Sequence, residues 1–170
     1  MHTRKPVIVD RWSILALAAT SLFSAAPALA AASLNGQVLG GGAPIANSTV
    51  TRWAASAGEP KQLAQARSGA EGRFTVNAPD EVGSDTILYV VAKGGKPAGS
   101  KTGDNNLAIA LLSVLGPKAP QTIVVNELTT VASVFTAARF IEGEAISGHA
   151  LGLRIAAGNA PNLVDPVTGG

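Results

Sequence analysis

The sequence predicts a mainly β domain, an antiparallel β-sandwich, followed by a C-terminal pair of helices. Short runs of alternating and β-branched residues recur over residues 33–95, and turn residues separate them. Residues 86–92 form the strongest of these predicted strands, and their unbroken apolar character indicates burial on both faces. Strands at this spacing are typical of a sandwich. After Asn126 the apolar residues recur with the period of a helix instead.

The N-terminal residues have the pattern of a secretory signal peptide. Three basic residues lie before or at the start of an almost uninterrupted apolar run at 13–26, and residues 28–30 read Ala-Leu-Ala, a small-residue cleavage site. We expect residues 1–30 to be removed on export, so that the mature chain begins near Ala31. An uncleaved segment would instead remain as an anchor. The expected location is the periplasm, the cell surface or the medium.

Composition excludes several classes of function. The chain has no cysteine, which rules out thiol chemistry and cysteine-ligated metals and is ordinary for an exported bacterial protein. Without residues 1–30 the chain keeps ten basic and ten acidic residues and no basic cluster, so nucleic acid is not an expected partner. The longest later apolar run, at 107–115, is too short to span a bilayer.

These patterns divide the chain into four segments. Residues 1–30 are the signal peptide, 31–95 the β-sandwich, 96–125 a loop with additional strands, and 126–170 the helical segment. The apolar run at 107–115 is compatible with either a strand or a buried helix, because periodicity does not distinguish them over this length.

The first predicted helix begins at Asn126, a favourable N-cap, and ends near Gly143. Its apolar positions at helical spacing are Leu128, Val131, Ala132, Phe135 and Ala138. The second helix is predicted from Ile146 to about Gly158 or beyond.

Three apolar residues of the second helix share one side: Leu151, Ile155 and Leu163. The glycines at 148, 152 and 158 either weaken this helix or permit close packing against it.

Part of the predicted sandwich follows a recognisable pattern, formed by Gly36 and Val38, by the segment from Pro44 that leads into Val50, and by Gly72 with Phe74. This pattern resembles the carboxypeptidase regulatory-like domain. The resemblance implies a transthyretin-like fold in which both glycines lie at turns or close backbone approaches and the other three residues fill the core. It also implies a supporting, non-catalytic role, since such domains accompany other units.

One departure from the family pattern and one further similarity are visible. Ser68 and Gly69 stand where the family has Thr-Asp, which predicts a looser hairpin. Residues 125–133 and 162–165 resemble a segment of exported bacterial proteins in which a repeat or propeller-like region follows. This similarity implies that the chain is the N-terminal part of a longer one.

The residues therefore favour a non-catalytic binding or structural module of an exported or cell-surface protein. Trp53 and Tyr89 are the candidate contacts for a protein or glycan partner, if either is exposed. The alternative is a small exported hydrolase or lyase that uses His149 or the Glu142/Glu144 pair, since paired carboxylates can act as acid and base. No cofactor is expected, and a lone His without a second His or Cys is a poor metal site.

Overall fold

The structure, a computed structural model, describes residues 32–79, 82–100 and 105–170. The predicted signal peptide lies outside these residues. The elements of the described chain are β1 (Ala32–Gly40), β2 (Ala43–Ala46), β3 (Thr49–Ala55), β4 (Lys61–Arg67), β5 (Arg73–Ala78), β6 (Ile87–Lys93), β7 (Lys96–Pro97), β8 (Ala110–Gly116), β9 (Thr122–Val125), α1 (Glu127–Thr136), β10 (Ile141–Glu142), β11 (Ala145–Ile146) and α2 (Ala150–Leu163).

Two sheets enclose the main core. The first sheet is antiparallel, with strand order β4-β3-β6-β8. The second has the order β5-β1-β2-β7, and β9 adds to β1 in parallel. Buried residues from both sheets, such as Leu34, Val38, Val50 and Val90, meet between them. The predicted class, a mainly β sandwich with two C-terminal helices, is confirmed.

The first sheet is covered on both faces, which makes the molecule three layers deep. Val90 of β6 lies in the core between the sheets, whereas Tyr89 and Val91 lie in a second core with Leu153 of α2 and Ile146 of β11. All residues of β6 except its last are buried. The prediction that this strand is buried on both faces is therefore confirmed.

The ambiguous apolar run resolves as a strand. β8 pairs antiparallel with β6, and β9 pairs with β1, so both later strands belong to the two sheets and the sandwich extends to Val125. A helix at this place would have left one edge of β6 unpaired.

The predicted end of the first helix is wrong. α1 begins at Glu127, directly after Asn126, but ends at Thr136 and not near Gly143. The chain then turns through the β10–β11 hairpin, in which Gly143 adopts a φ of 60°. Glycine adopts this left-handed conformation without steric cost, and a left-handed residue interrupts an α-helix.

The second helix starts later than predicted. Ile146 belongs to β11, and the backbone N–H of Gly148 donates to the carbonyl of Ser56 at 2.9 Å, so the chain is still extended there. α2 begins at Ala150 and continues to Leu163. Gly148 and Gly152 allow close packing, because a Cβ at either position would lie 2.5 Å from the ring of Phe140.

The predicted apolar faces of both helices point away from the sandwich. The buried residues of α1 are Thr129, Ala132 and Ser133. Those of α2 are Leu153 and three alanines, at 156, 157 and 160. The apolar positions named above are exposed, apart from Ala132.

For α1 the reason for this orientation lies at the edge of the first sheet. β8 is an edge strand of that sheet. Its Leu112 N–H donates to the hydroxyl of Thr130 on α1, and its Val114 N–H donates to the hydroxyl of Ser133, both at 2.9 Å. The polar side of α1 therefore completes the hydrogen bonding of the sheet edge.

Candidate functional site

The β10–β11 hairpin and the outer face of β3 and β6 enclose a cleft of about 300 Å³. Trp53 and Tyr89 line it with stacked rings, whose centroids are 6.4 Å apart and whose planes differ by 15°. The two residues are cross-strand partners, so the sheet register places one ring beside the other. Trp53 is partly exposed and Tyr89 is buried.

Tyr89 attaches the hairpin to the sheet. Its hydroxyl accepts a hydrogen bond from the backbone N–H of Ile146 at 3.3 Å. Burial raises the pKa of the phenol, the hydrogen bond from Ile146 lowers it, and the nearby Glu144 charge raises it further, with a net upward shift. Tyr89 is thus a support beneath the cleft, and Trp53 is the ring that solvent reaches.

Charged side chains form the rim of the cleft. Lys93 Nζ lies 2.8 Å from Glu144 Oε2, an ion pair that joins the end of β6 to the hairpin turn. Glu142 is exposed and lines the same cleft. The structure therefore brings Trp53 of β3 together with Tyr89 and Lys93 of β6 and with the two carboxylates of the hairpin. The sequence analysis did not single out Lys93. The position of Lys93 at the end of the strongest strand is the signal that could have identified it.

His149 does not belong to this cleft. It is exposed at the N-cap position of α2, and its side chain makes no capping hydrogen bond. It is not among the residues that line the cleft with Glu142 and Glu144. Across the described residues, no three His, Asp or Glu side chains lie close enough together to hold a metal ion.

The five sandwich residues that carry the family resemblance lie in both sheets: Gly36 and Val38 on β1, Gly72 and Phe74 at the start of β5, and Val50 on β3. Val38, Val50 and Phe74 are buried in the core between the sheets. Gly72 has a φ of 69°, and a Cβ at this position would lie 2.4 Å from the carbonyl oxygen of Val38. The backbone N–H of Val38 donates to the Gly72 carbonyl at 2.9 Å, so the two backbones are in close contact. Gly36 faces the ring of Phe74.

Asn126 has a structural role at the start of α1. Its side-chain oxygen accepts the Thr129 N–H at 2.9 Å, and the Thr129 hydroxyl accepts the Asn126 N–H at 3.0 Å, which together form a capping box. The Asn126 amide also donates to the carbonyl of Gly169 at 2.8 Å, so the cap holds the C-terminal turn as well.

A larger and more open concavity, of about 620 Å³, lies on the outer face of the second sheet. Its exposed side chains are polar, and Thr75 donates to Asn35 across the strands at 2.8 Å. Arg67 and Arg73 lie at its border. It offers no exposed aromatic ring, so the cleft at Trp53 is the better candidate for recognition.

Arg52 is a buried cation that the sequence did not identify as unusual. It is fully buried on β3, and its Nη1 donates to the carbonyl of Ala78 at 3.3 Å.

No helix in the described part of the chain is long and apolar enough to cross a membrane.

Comparisons with known proteins add little to this description. No protein-family model matches the sequence, and no curated protein matches it. A solved structure of a 9R-lipoxygenase from Cyanothece PCC8801 is similar with a TM-score of 0.39 and 16% identity, over 56% of this chain and 16% of the lipoxygenase chain. The chain thus spans about a sixth of the length of that protein. A similarity of this size identifies neither a family nor an activity.

Proposed function

We propose that this protein is a non-catalytic binding module of an exported or cell-surface bacterial protein, and that the cleft beside Trp53 holds a carbohydrate. The observation that carries the proposal is the stacked pair of Trp53 and Tyr89, in which the inner ring is buried and the outer one is partly exposed. Binding sites combine an apolar or aromatic surface with a few well-placed polar groups. A sugar ring meets both needs, because its C–H face is apolar and its edge carries hydroxyls.

The polar groups at the rim suit such a ligand. Glu142 offers carboxylate oxygens as acceptors, and the Lys93–Glu144 pair offers both donors and acceptors to hydroxyls. The cleft, at about 300 Å³, is at the lower end of the range for small-molecule sites, which fits one or two sugar rings better than a long polymer segment.

The aromatic surface is rigid before any ligand arrives. Trp53 lies on β3, which pairs with β4 on one side and β6 on the other. Tyr89 is held by the Ile146 N–H. A preorganised surface loses little conformational entropy on binding, which favours recognition of a weakly apolar ligand.

The same geometry favours binding over hydrolysis. In glycosidases the acid is a carboxyl group in an apolar pocket. Glu142 is exposed, Glu144 pairs with Lys93 at the surface, and His149 lies outside the cleft. The alternative of a hydrolase or lyase that uses these residues therefore stands second.

Tryptophan fluorescence of the full chain tests the proposal. The chain has two tryptophans, so a Trp12→Phe background leaves Trp53 as the only one. We expect oligosaccharides of one class, from a panel of neutral hexose, N-acetylamino sugar and uronate chains, to shift the emission saturably. Binding of the same oligosaccharide, measured by calorimetry, should weaken at least about tenfold in Trp53→Ala and much less in Trp53→Phe.

Matched variants separate the cleft from the rest of the surface. Glu142→Gln should weaken binding, whereas Glu59→Gln, in an exposed loop, should not change it. The proposal fails if no class of sugar binds, or if Trp53→Ala binds as well as the parent. Release of new reducing ends that stops in Glu142→Gln would instead establish the hydrolase alternative.

A further inference from the structure

The outward faces of α1 and α2 carry a group of large apolar side chains in water. We call this group the helical face. Its members and their exposed fractions are Leu128 (53%), Val131 (66%), Val134 (42%) and Phe135 (73%) on α1, and Leu151 (64%), Ile155 (56%) and Leu163 (53%) on α2. Isolated exposed apolar residues are ordinary, but a contiguous group marks an interaction surface.

The two helices contribute to one continuous surface. Leu128, Val131 and Phe135 recur at intervals of three and four residues, so they form a stripe along α1. A groove of about 510 Å³ between the helices is lined by Phe135 from α1 and by Ile155 and Leu163 from α2. The stripes therefore meet at this groove.

The helical face has nothing to pack against within the described chain, because the inner sides of the helices already contact the sheet. Ser133 and Thr130 hold the edge of β8, and Leu153 and Ala157 fill the second core. The outer apolar residues are thus additional to those needed for folding.

We propose that a second copy of this chain covers the helical face in a two-fold symmetric dimer. At the usual areas of these side chains, the exposed parts amount to roughly 800 Å², which is the area that each partner buries in a standard stable interface. The same surface then serves both partners, as closed two-fold symmetry requires.

The charge distribution fits a self-complementary contact. Glu127 and Arg154 are the charged residues within α1 and α2. Glu127 accepts a hydrogen bond from the Gly41 N–H at 2.8 Å and is thus directed to the sandwich. The groove is lined by apolar groups and by neutral ones such as Asn159, and neither Glu127 nor Arg154 lines it, so two copies that meet at the groove bring no like charges together there.

Sedimentation velocity of the full chain over a micromolar concentration range tests the proposal. The mass in solution should be twice the mass that spectrometry gives for the same sample. Phe135→Glu and Ile155→Glu, one on each helix, should each raise the dimer dissociation constant at least roughly 100-fold, since each dimer carries the new charge twice. Leu107→Glu is the matched control, because Leu107 is 79% exposed but lies outside the helical face. It should leave the dimer unchanged.

The dimer proposal does not depend on carbohydrate binding, so either proposal can fail while the other holds. A parent protein that is a monomer throughout the range overturns it, as does a dimer that persists in both glutamate variants. A monomer that floats with phosphatidylcholine vesicles overturns it in favour of a lipid surface.

Discussion

The ring of Phe74 occupies the space that a side chain on Gly36 would need. The two residues are paired across β1 and β5, and a Cβ on Gly36 would lie 2.4 Å from Phe74 Cζ. On its other side the same Cβ would lie 2.9 Å from Cγ1 of Ile123 on β9. The glycine therefore lets an aromatic ring lie directly over the backbone of β1.

Gly36→Ala should destabilise the sandwich. The added methyl group overpacks a core position with neighbours on both sides, and we expect the free energy of unfolding to fall by about 1–3 kcal/mol. Chemical denaturation measures this change. Gly58→Ala, in an exposed loop where a Cβ meets nothing within 4 Å, should change it by less than about 0.5 kcal/mol. Equal losses in the two variants would contradict the packing argument.

Ionisation of Tyr89 should be delayed in the folded protein. The chain has one tyrosine, so absorbance of the phenolate reports on Tyr89 alone. Its pKa is raised above 10.0, first by burial. We expect the native titration midpoint to lie above that of the protein unfolded in urea, which should be near 10.

The same shift makes stability depend on pH above the usual tyrosine pKa. At a pH below the unfolded pKa, Tyr89 keeps its proton in the folded and the unfolded protein, and its contribution to stability is complete. As the pH rises through the unfolded pKa, the unfolded protein loses the proton first, so the free energy of unfolding falls. The fall continues up to the folded pKa. Tyr89→Phe should remove this decline, so identical pH profiles for the parent and the variant would contradict the assignment.

Loss of the Asn126 side chain should loosen α1 and the C-terminal turn together. Asn126→Ala removes the acceptor for the Thr129 N–H and the donor to Gly169, and we expect a loss of about 1–2 kcal/mol in unfolding free energy. Asn126→Ser keeps an oxygen acceptor for the cap and loses only the donor to Gly169, so it should lose less. Asn159→Ala, at an exposed position of α2, is the control and should cost nothing. The relevant measurement is thermal and denaturant unfolding of all three variants.

Loss of the Ser133 hydroxyl should lower the free energy of unfolding more than loss of the Thr136 hydroxyl, about one turn later in α1. Ser133→Ala leaves the buried Val114 N–H of the β8 edge without its acceptor, which costs about 1–3 kcal/mol. Thr136→Ala removes a hydroxyl that bonds only to carbonyls of its own helix, and it should cost much less. Hydrogen exchange at the Val114 amide should accelerate in the first variant and stay slow in the second. The reverse order would refute the account of how α1 covers the edge.

Cleavage of the N-terminal segment is expected directly after Ala30. Intact mass and N-terminal sequencing of the protein recovered from a bacterial culture should give a chain that begins near Ala31. Replacement of the small residues of the cleavage site, Ala28→Leu with Ala30→Leu, should block processing and leave the longer form in the membrane fraction. A parent protein that keeps Met1 would show that the segment is not a signal peptide.

The strands were predictable to the extent that local pattern reports burial. The continuous apolar run of β6 indicated burial on both faces, and the structure has the sandwich on one side and the helices on the other. The run at 107–115 was not predictable, because its state depends on pairing with β6, which is distant in sequence. The convergence of Trp53 with Lys93, Glu142 and Glu144 likewise depends on long-range contacts, the pairing of β3 with β6 and the bond from the Ile146 N–H to Tyr89.

Local chemistry by itself determined the alternating strands, the turn glycines and the start of α1 at Asn126, since each depends on a residue and its immediate neighbours. The direction in which the helices face was decided only by the tertiary structure. Apolar spacing predicted that Phe135 shares one side of its helix with Leu128 and Val131, but not which way that side faces; the hydroxyls of Thr130 and Ser133 face the sheet and leave this apolar stripe of α1 in water. The physical reason is that the edge of β8 has unpaired N–H groups, and a buried unpaired N–H costs free energy that an adjacent helix hydroxyl can recover.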